Sequence, residues 1–177
     1  MGCADAEAMT IFSVGDTPPR SALPHAPRLA LLGEEAELLA ALHAQCFEVP
    51  WHESAFAGLL KSGGFGYALV TPINTPLAFI LLRSAASETE ILTLATHPAH
   101  QRKGLARQLL QHCYAELSAQ GSEEIFLEVR ADNLAAQALY VACGFTQIAR
   151  RPNYYTLPNG TRSDALVLQK KLGQNLL

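Results

Sequence analysis

From Gly104 to Gln120, the residues Leu105, Leu109, Cys113 and Leu117 recur every four positions, with Leu110 and Tyr114 beside them. That spacing lines one face of an α-helix, and Gly121 stands where a left-handed exit would end it. Around this helix the chain alternates strand-like and helix-like runs. Gly66 to Thr71, Leu77 to Arg83 and Glu90 to Ala95 are short runs separated by Pro/Asn and Ser-rich breaks of hairpin length, which predicts an antiparallel meander. Upstream, Leu38, Leu39, Leu42 and Cys46 predict a helix over 33–47, with Glu34 and Glu35 where the helix dipole favours acids. A second helix is predicted over Ser54–Lys61, stopped by Gly63-Gly64. Downstream come a strand over Ile125–Arg130, a helix capped by Asn133 and ended at Cys143-Gly144, and strands over Phe145–Arg150 and Ala165–Lys170. This order describes a mixed α/β sheet rather than a regular doubly wound one. No internal repeat is visible.

The length of 177 residues and the 49% hydrophobic content suit one domain with a single well-buried core. Pro18, Pro19, Pro24 and Pro27 mark residues 1–28 as a flexible leader, so the folded domain is expected over 29–173. A net charge of -3 excludes a broad electrostatic grip on nucleic acid. Cys3, Cys46, Cys113 and Cys143 form no CxxC pair, and three of them fall in helical patterns, which suits reduced thiols in the cytoplasm. The six histidines show no HExxH or Cys/His spacing, so no metal is expected. Residues 1–15 lack a secretory signal pattern, and Met1-Gly2-Cys3 is followed by Ala6 where a myristoylation site wants Ser or Thr. No run approaches the roughly 20 apolar residues of a membrane span. The expectation is a cytoplasmic protein without a membrane partner, monomeric or weakly dimeric.

Chemistry is concentrated before the long helix. Leu92 to Pro98 and Gln101 to Arg107 place a strand end, a proline break and a glycine turn directly ahead of it. The first amides of a helix lack internal partners and the dipole is positive there, so residues 102 to 107 can cradle a pyrophosphate, with Gly104 allowing close approach. The same segment also suits an ordinary strand-to-helix turn with solvated cations.

Two further blocks complete a pattern: Leu127-Glu-Val-Arg-Ala-Asp-Asn133 and Ala138-Leu-Tyr-Val-Ala-Cys-Gly-Phe145. With the turn, they resemble the two signature motifs of the GNAT acetyltransferases, whose phosphate loop reads Q/R-x-x-G-x-G/A; here it is Gln101-Arg102-Lys103-Gly104-Leu105-Ala106. Pro50-Trp-His-Glu53, Arg150-Arg-Pro-Asn-Tyr-Tyr155 and Asp164-Ala165 narrow the resemblance to the bacterial enzymes that acetylate ribosomal-protein alanine N termini. It covers roughly residues 30 to 172.

The resemblance implies a mostly antiparallel mixed sheet of about six to seven strands with splayed central strands, flanked by about four helices. It implies acetyl-CoA as co-substrate, held by Arg102, Lys103, Gly104, Leu105, Ala106 and Arg107, by Asn133, and by the backbone of Leu94, Ala95 and Thr96 along the pantetheine arm. Glu128 is implied as proton acceptor and Tyr140 as proton donor to the departing thiolate, while Trp51, Tyr154 and Tyr155 flank a peptide groove. The implied substrate is a protein N-terminal peptide, ribosomal and beginning with Ala. Read without the resemblance, Glu128 suits an exposed sheet carboxylate, Tyr140 and Trp51 suit core aromatics, Asn133 a helix cap, and Leu94 to Thr96 a fully paired strand. A GNAT enzyme acting on lysine or a small amine, and a CoA-binding module without turnover, remain open at this point.

Overall fold

The computed structural model describes residues 28–32 and 35–173. Apart from Arg28 the expected leader, with Cys3, lies outside the described residues. The elements run β1 (Arg28–Leu31), α1 (Ala36–Cys46), α2 (Glu53–Lys61), β2 (Phe65–Val70), β3 (Pro76–Ala85), β4 (Glu88–Thr96), α3 (Leu105–Ala119), β5 (Glu124–Arg130), α4 (Leu134–Ala142), β6 (Thr146–Thr156) and β7 (Arg162–Lys171). The helices, the meander and the strand–helix–strand order of the second half follow the sequence expectations closely. Gly121 and Gly144 take positive φ past the ends of α3 and α4, and Asn133 Oδ1 caps α4 by accepting from Ala136 N at 3.1 Å.

Two features differ from the sequence reading. β1 is a strand of four residues, pairing Arg28–Leu31 antiparallel with Tyr67–Val70, where no strand was expected. β6 runs on to Thr156 instead of ending at Arg150. It accommodates Pro152 because it is the outer strand of the sheet and because its register with β7 slips between Arg151 and Tyr155. A proline removes a ladder donor, so an edge strand with an irregular register is where it costs least.

The seven strands form one sheet in the order β1-β2-β3-β4-β5-β7-β6. Every neighbour pair is antiparallel except β4 and β5. That parallel ladder is short: Glu88–Ile91 pair with Glu124–Leu127, and the pairing stops. Beyond it β4 continues along β3 and β5 continues along β7, so the two strands part in the middle of the sheet. The parting coincides with a bulge in β4, where Leu81 faces Thr93 and Leu82 faces Ile91, leaving Leu92 as the extra residue. A bulge bends and twists its strand, which turns β4 away from β5.

Helices cover both faces. Leu105, Leu109, Leu110, Cys113 and Leu117 of α3 pack with Ile80, Ile91, Ile125, Leu127, Leu166 and Leu168 on one face, together with Tyr140 of α4. On the other, Leu39 and Leu42 of α1 and Phe56 of α2 pack with Ala68, Phe79, Leu81 and Ala95. The second layer covers only half the sheet, so Phe126 and Glu128 of β5 and Val167 of β7 line an open trough of about 300 Å³ with Arg83, Glu90 and Arg151.

The loop between α1 and α2 is held by an aromatic stack centred on His43. This side chain is 2% exposed, lies 3.9 Å from Phe47 and 5.3 Å from Trp51 by ring centres, and accepts from Trp51 N through Nδ1 at 3.2 Å. Burial lowers its pKa to about 4. In the unfolded chain His43 takes up a proton below about pH 6.5 while the folded protein resists it, so its contribution is complete above that pH and is lost as pH falls toward 4. The His43 share of the stability lost between pH 7 and pH 5 is expected to be about 2 kcal/mol. Urea midpoints at the two pH values measure the loss, and His43→Asn should remove that share of it; a wild-type midpoint that does not move would refute it.

Candidate active site

The turn ahead of α3 gathers free backbone donors and basic side chains unpaired among the described residues. Gly104 takes φ +82° as the residue before the helix, and Arg102 also lies in the left-handed region at φ +59°. Among the described residues, the N–H groups of Gly104, Leu105, Ala106 and Arg107 donate to no protein acceptor. They are the free amides of a helix start, gathered at the positive end of a 15-residue dipole. Lys103 Nζ donates to Ala99 O at 3.0 Å and steadies the turn. Arg102 and Arg107 form no ion pair among the described residues and are free to meet an outside anion. The local chemistry therefore fits a phosphate-bearing ligand.

Leu94, Ala95 and Thr96 lie on the far side of the parting. They pair with Ile80, Phe79 and Ala78 of β3, while the β5 side of β4 is unladdered beyond Ile91. The fully paired alternative for this segment is therefore excluded, and an extended ligand can add itself there as a strand would. Of the three, Thr96 is already engaged: its carbonyl accepts from Cys46 Sγ and Gln101 Nε2, both at 3.3 Å. Asn133 spends its Oδ1 on the α4 cap, and its Nδ2 makes no hydrogen bond among the described residues.

Glu128 stands on β5 one residue past the last parallel pair, on the trough side of the sheet. Its side chain is 23% exposed, and Oε1 lies 2.9 Å from Arg151 Nη1. Tyr140 is buried at 8% exposure, edge-on to Phe145. Its hydroxyl makes no hydrogen bond among the described residues, yet it is not among the polar atoms sealed from solvent. Burial pushes its phenol well above the ordinary range, with the neighbouring Cys143 and Tyr155 adding to the effect, so Tyr140 keeps its proton. Tyr155, half-buried, is raised first by burial and next by the charge of Glu128. The charge of Glu128 is thus felt at Tyr155, and Tyr155 in turn adds to the upward shift of Tyr140.

Trp51 is half-buried and packs on Phe56 and His43 at the edge of the core, as the core alternative describes. Tyr154 is 50% exposed and stands edge-on to Tyr155, with the Arg151 guanidinium 5.4 Å from its ring centre. Two residues with no role in the sequence reading shape this side. Arg151 reaches Glu128 directly, and Asp164 pins the irregular stretch of β6 by accepting from Asn153 N at 2.8 Å and Arg150 Nε at 2.6 Å. The Asn153 amide and Arg150 hold the Asp164 carboxyl below its usual range. Arg130 completes the rim, pairing with Asp132 at 2.6 Å and reaching Glu48 at 3.3 Å. Only the repeated Arg150-Arg151 next to a double tyrosine hinted at these contacts in sequence. Among the described residues, no group of His, Cys, Asp and Glu is placed to hold a metal ion, and no helix is long and apolar enough to cross a membrane.

Comparison with known proteins agrees with this geometry. The sequence model of the "Acetyltransferase (GNAT) family" matches residues 36–145. A ribosomal protein bS18-alanine N-acetyltransferase of Haemophilus ducreyi is 36% identical over 122 residues, covering 68% of this chain and 82% of the relative. The enzyme of that name from Escherichia coli K12 is 36% identical over 137 residues, covering 76% and 91%. The crystal structure of the Escherichia coli ribosomal-protein-S18-alanine N-acetyltransferase superposes with a TM-score of 0.77 at 30% identity, covering 85% of this chain and 98% of that one. A seven-stranded sheet parted beside a helix start with free amides, matched in sequence and in shape, makes this chain a member of the GNAT acetyltransferase family.

Proposed function

We propose that this protein transfers the acetyl group of acetyl-CoA to the N-terminal α-amino group of another protein, a ribosomal protein beginning with alanine, in the cytoplasm. The observation that carries this reading is the gap between β4 and β5, which opens after Ile91 and Leu127, with Glu128 the next residue on β5 and the free amides of Gly104–Arg107 following β4 in the chain. The two bacterial relatives described above are named for that acceptor, and their similarity extends over most of their own length.

In this reading Arg102, Lys103, Gly104, Leu105, Ala106 and Arg107 hold the pyrophosphate of acetyl-CoA, Leu94 to Thr96 hold its pantetheine arm, and the Asn133 amide adds a contact. Acetyl-CoA supplies the acetyl group as a thioester and leaves with the thiol. Trp51, Tyr154 and Tyr155 border the groove in which the peptide lies, with its amine toward Glu128. As the new N–C bond forms, Glu128 accepts the proton the nitrogen loses, through one water. An α-amine titrates near about 8 and is easily had in its neutral form, so a carboxylate suffices, whereas a lysine near about 10.4 asks for more. Tyr140 Oη holds the proton that the departing sulfur takes. Its burial keeps the phenol protonated, which suits a donor and disqualifies it as a base.

An Ala-initiated peptide should be acetylated at its amino terminus, while the same peptide with a blocked terminus and an internal lysine should not; mass spectrometry reads both. Exclusive reaction on the lysine would refute the α-amine reading. Tyr140→Phe should lower kcat by about 10²-fold or more with little change in acetyl-CoA affinity, as measured by steady-state rates beside calorimetric binding. Unchanged turnover would remove Tyr140 as the donor.

A further inference from the structure

Glu128 is already occupied. Its Oε1 is held by Arg151 at 2.9 Å, although the Arg151 side chain is 54% exposed and an ion pair in such a setting adds little to stability. The fold nevertheless goes to some length to put Arg151 there. The register of β6 slips just after it, Asp164 pins the slipped stretch, and the guanidinium rests beside the Tyr154 ring. Between β6 and β5 the side chain has to span β7, whose Val167 lines the trough with the pair.

Among the described residues, the surrounding charges leave Glu128 no other cation. The groups facing the pair are Tyr154 and Tyr155 on β6, Arg130 on β5, Arg83 on β3, and Glu88 and Glu90 on β4. Arg83 is matched to Glu90 at 2.8 Å, and Arg130 is matched to Asp132 and Glu48. Glu128 Oε2 has no partner among the described residues and remains available to accept a proton.

We propose that Arg151 selects the protonation state of the acceptor: by pairing with Glu128 it denies that carboxylate to an incoming ammonium, so the amine is held neutral and able to attack. The inference rests on Glu128 being the proton acceptor. A bare carboxylate in a half-buried cleft attracts a cation, and an ammonium paired with it has no free electron pair for the thioester. At pH 7 an α-amine that titrates near 8 is about nine-tenths ammonium, so unproductive capture would be the common event. A guanidinium in place cancels the carboxylate's field and repels a second cation. It also works against a lysine ammonium, which makes Arg151 a specificity-determining residue as well as a positioning one.

Calorimetric titration of the CoA-bound protein with an Ala-initiated peptide at pH 7, in two buffers of different ionisation heat, counts the protons released on binding. The wild type should release about nine-tenths of a proton per peptide. Arg151→Gln should release little, bind the peptide about tenfold more tightly, and lose kcat and KM together by about tenfold, with kcat recovering as the pH is raised toward 9. Arg151→Lys should restore proton release. Unchanged proton release in Arg151→Gln, or a KM that rises at constant kcat, would overturn the inference and make Arg151 a simple peptide contact. Glu128→Gln separates the two readings: if it keeps full kcat, the proton-acceptor assignment itself is wrong, whereas a slow Glu128→Gln beside an Arg151→Gln that releases protons normally sinks the Arg151 inference alone.

Discussion

The parallel ladder between β4 and β5 lasts four residue pairs and then fails, and the remainder of the molecule is organised around that failure. A sheet interrupted in its middle leaves backbone donors and acceptors of two strands without partners. Each such group costs about 1–3 kcal/mol if it is shut away from both water and a partner, so the gap has to stay wet or admit a ligand that brings its own amides. The bulge at Leu92 starts the divergence, and the packing of α3 across one face joins the two halves of the sheet while α1 and α2 back only the half that contains β4. Closing the gap would need these helices to repack.

Charge is divided along the gap. At the end next to α3, Arg102 and Arg107 have no carboxylate partner among the described residues and stand beside free amides, a setting that suits an anion. At the other end three arginines are matched: Arg130 to Asp132 and Glu48, Arg150 to Asp164, Arg151 to Glu128. Pairs as exposed as these contribute little to stability; what they do is fix positions. Arg130 ties the end of β5 to the loop after α1, and Asp164 holds the irregular part of β6 so that its aromatic and basic side chains border the opening. The Glu128 end is thus assembled from four separate chain segments, while the end beside α3 is a single turn.

That difference explains what could be read in advance. The turn at residues 101–107, the α3 stripe and the Asn133 cap are local: spacing and residue type are enough to predict them, and all three are present. Glu128 and Tyr140 were located by motif resemblance, since an acid on a strand and a tyrosine on a helix carry no distinguishing periodicity. β1 escaped notice because four residues at a sheet edge offer too short a pattern. The second half of β6 was missed because its residues are almost all exposed, so they show no buried face, and because Pro152 signals a break. Arg151 could not be assigned to Glu128 because the two are brought together only by strand order.

By itself the sequence determined the identity and order of every element except β1, and the glycine turn ahead of α3, because each depends on contacts within a few positions along the chain. Only the tertiary structure decided that β4 parts from β5 after Ile91, that Tyr140 keeps its proton through burial, and that Glu128 is held by a guanidinium from the outer strand. Those outcomes depend on which strands become neighbours and on how deeply a group is removed from water. Both are set by the packing of segments far apart in the chain, and neither leaves a local mark in the order of the amino acids.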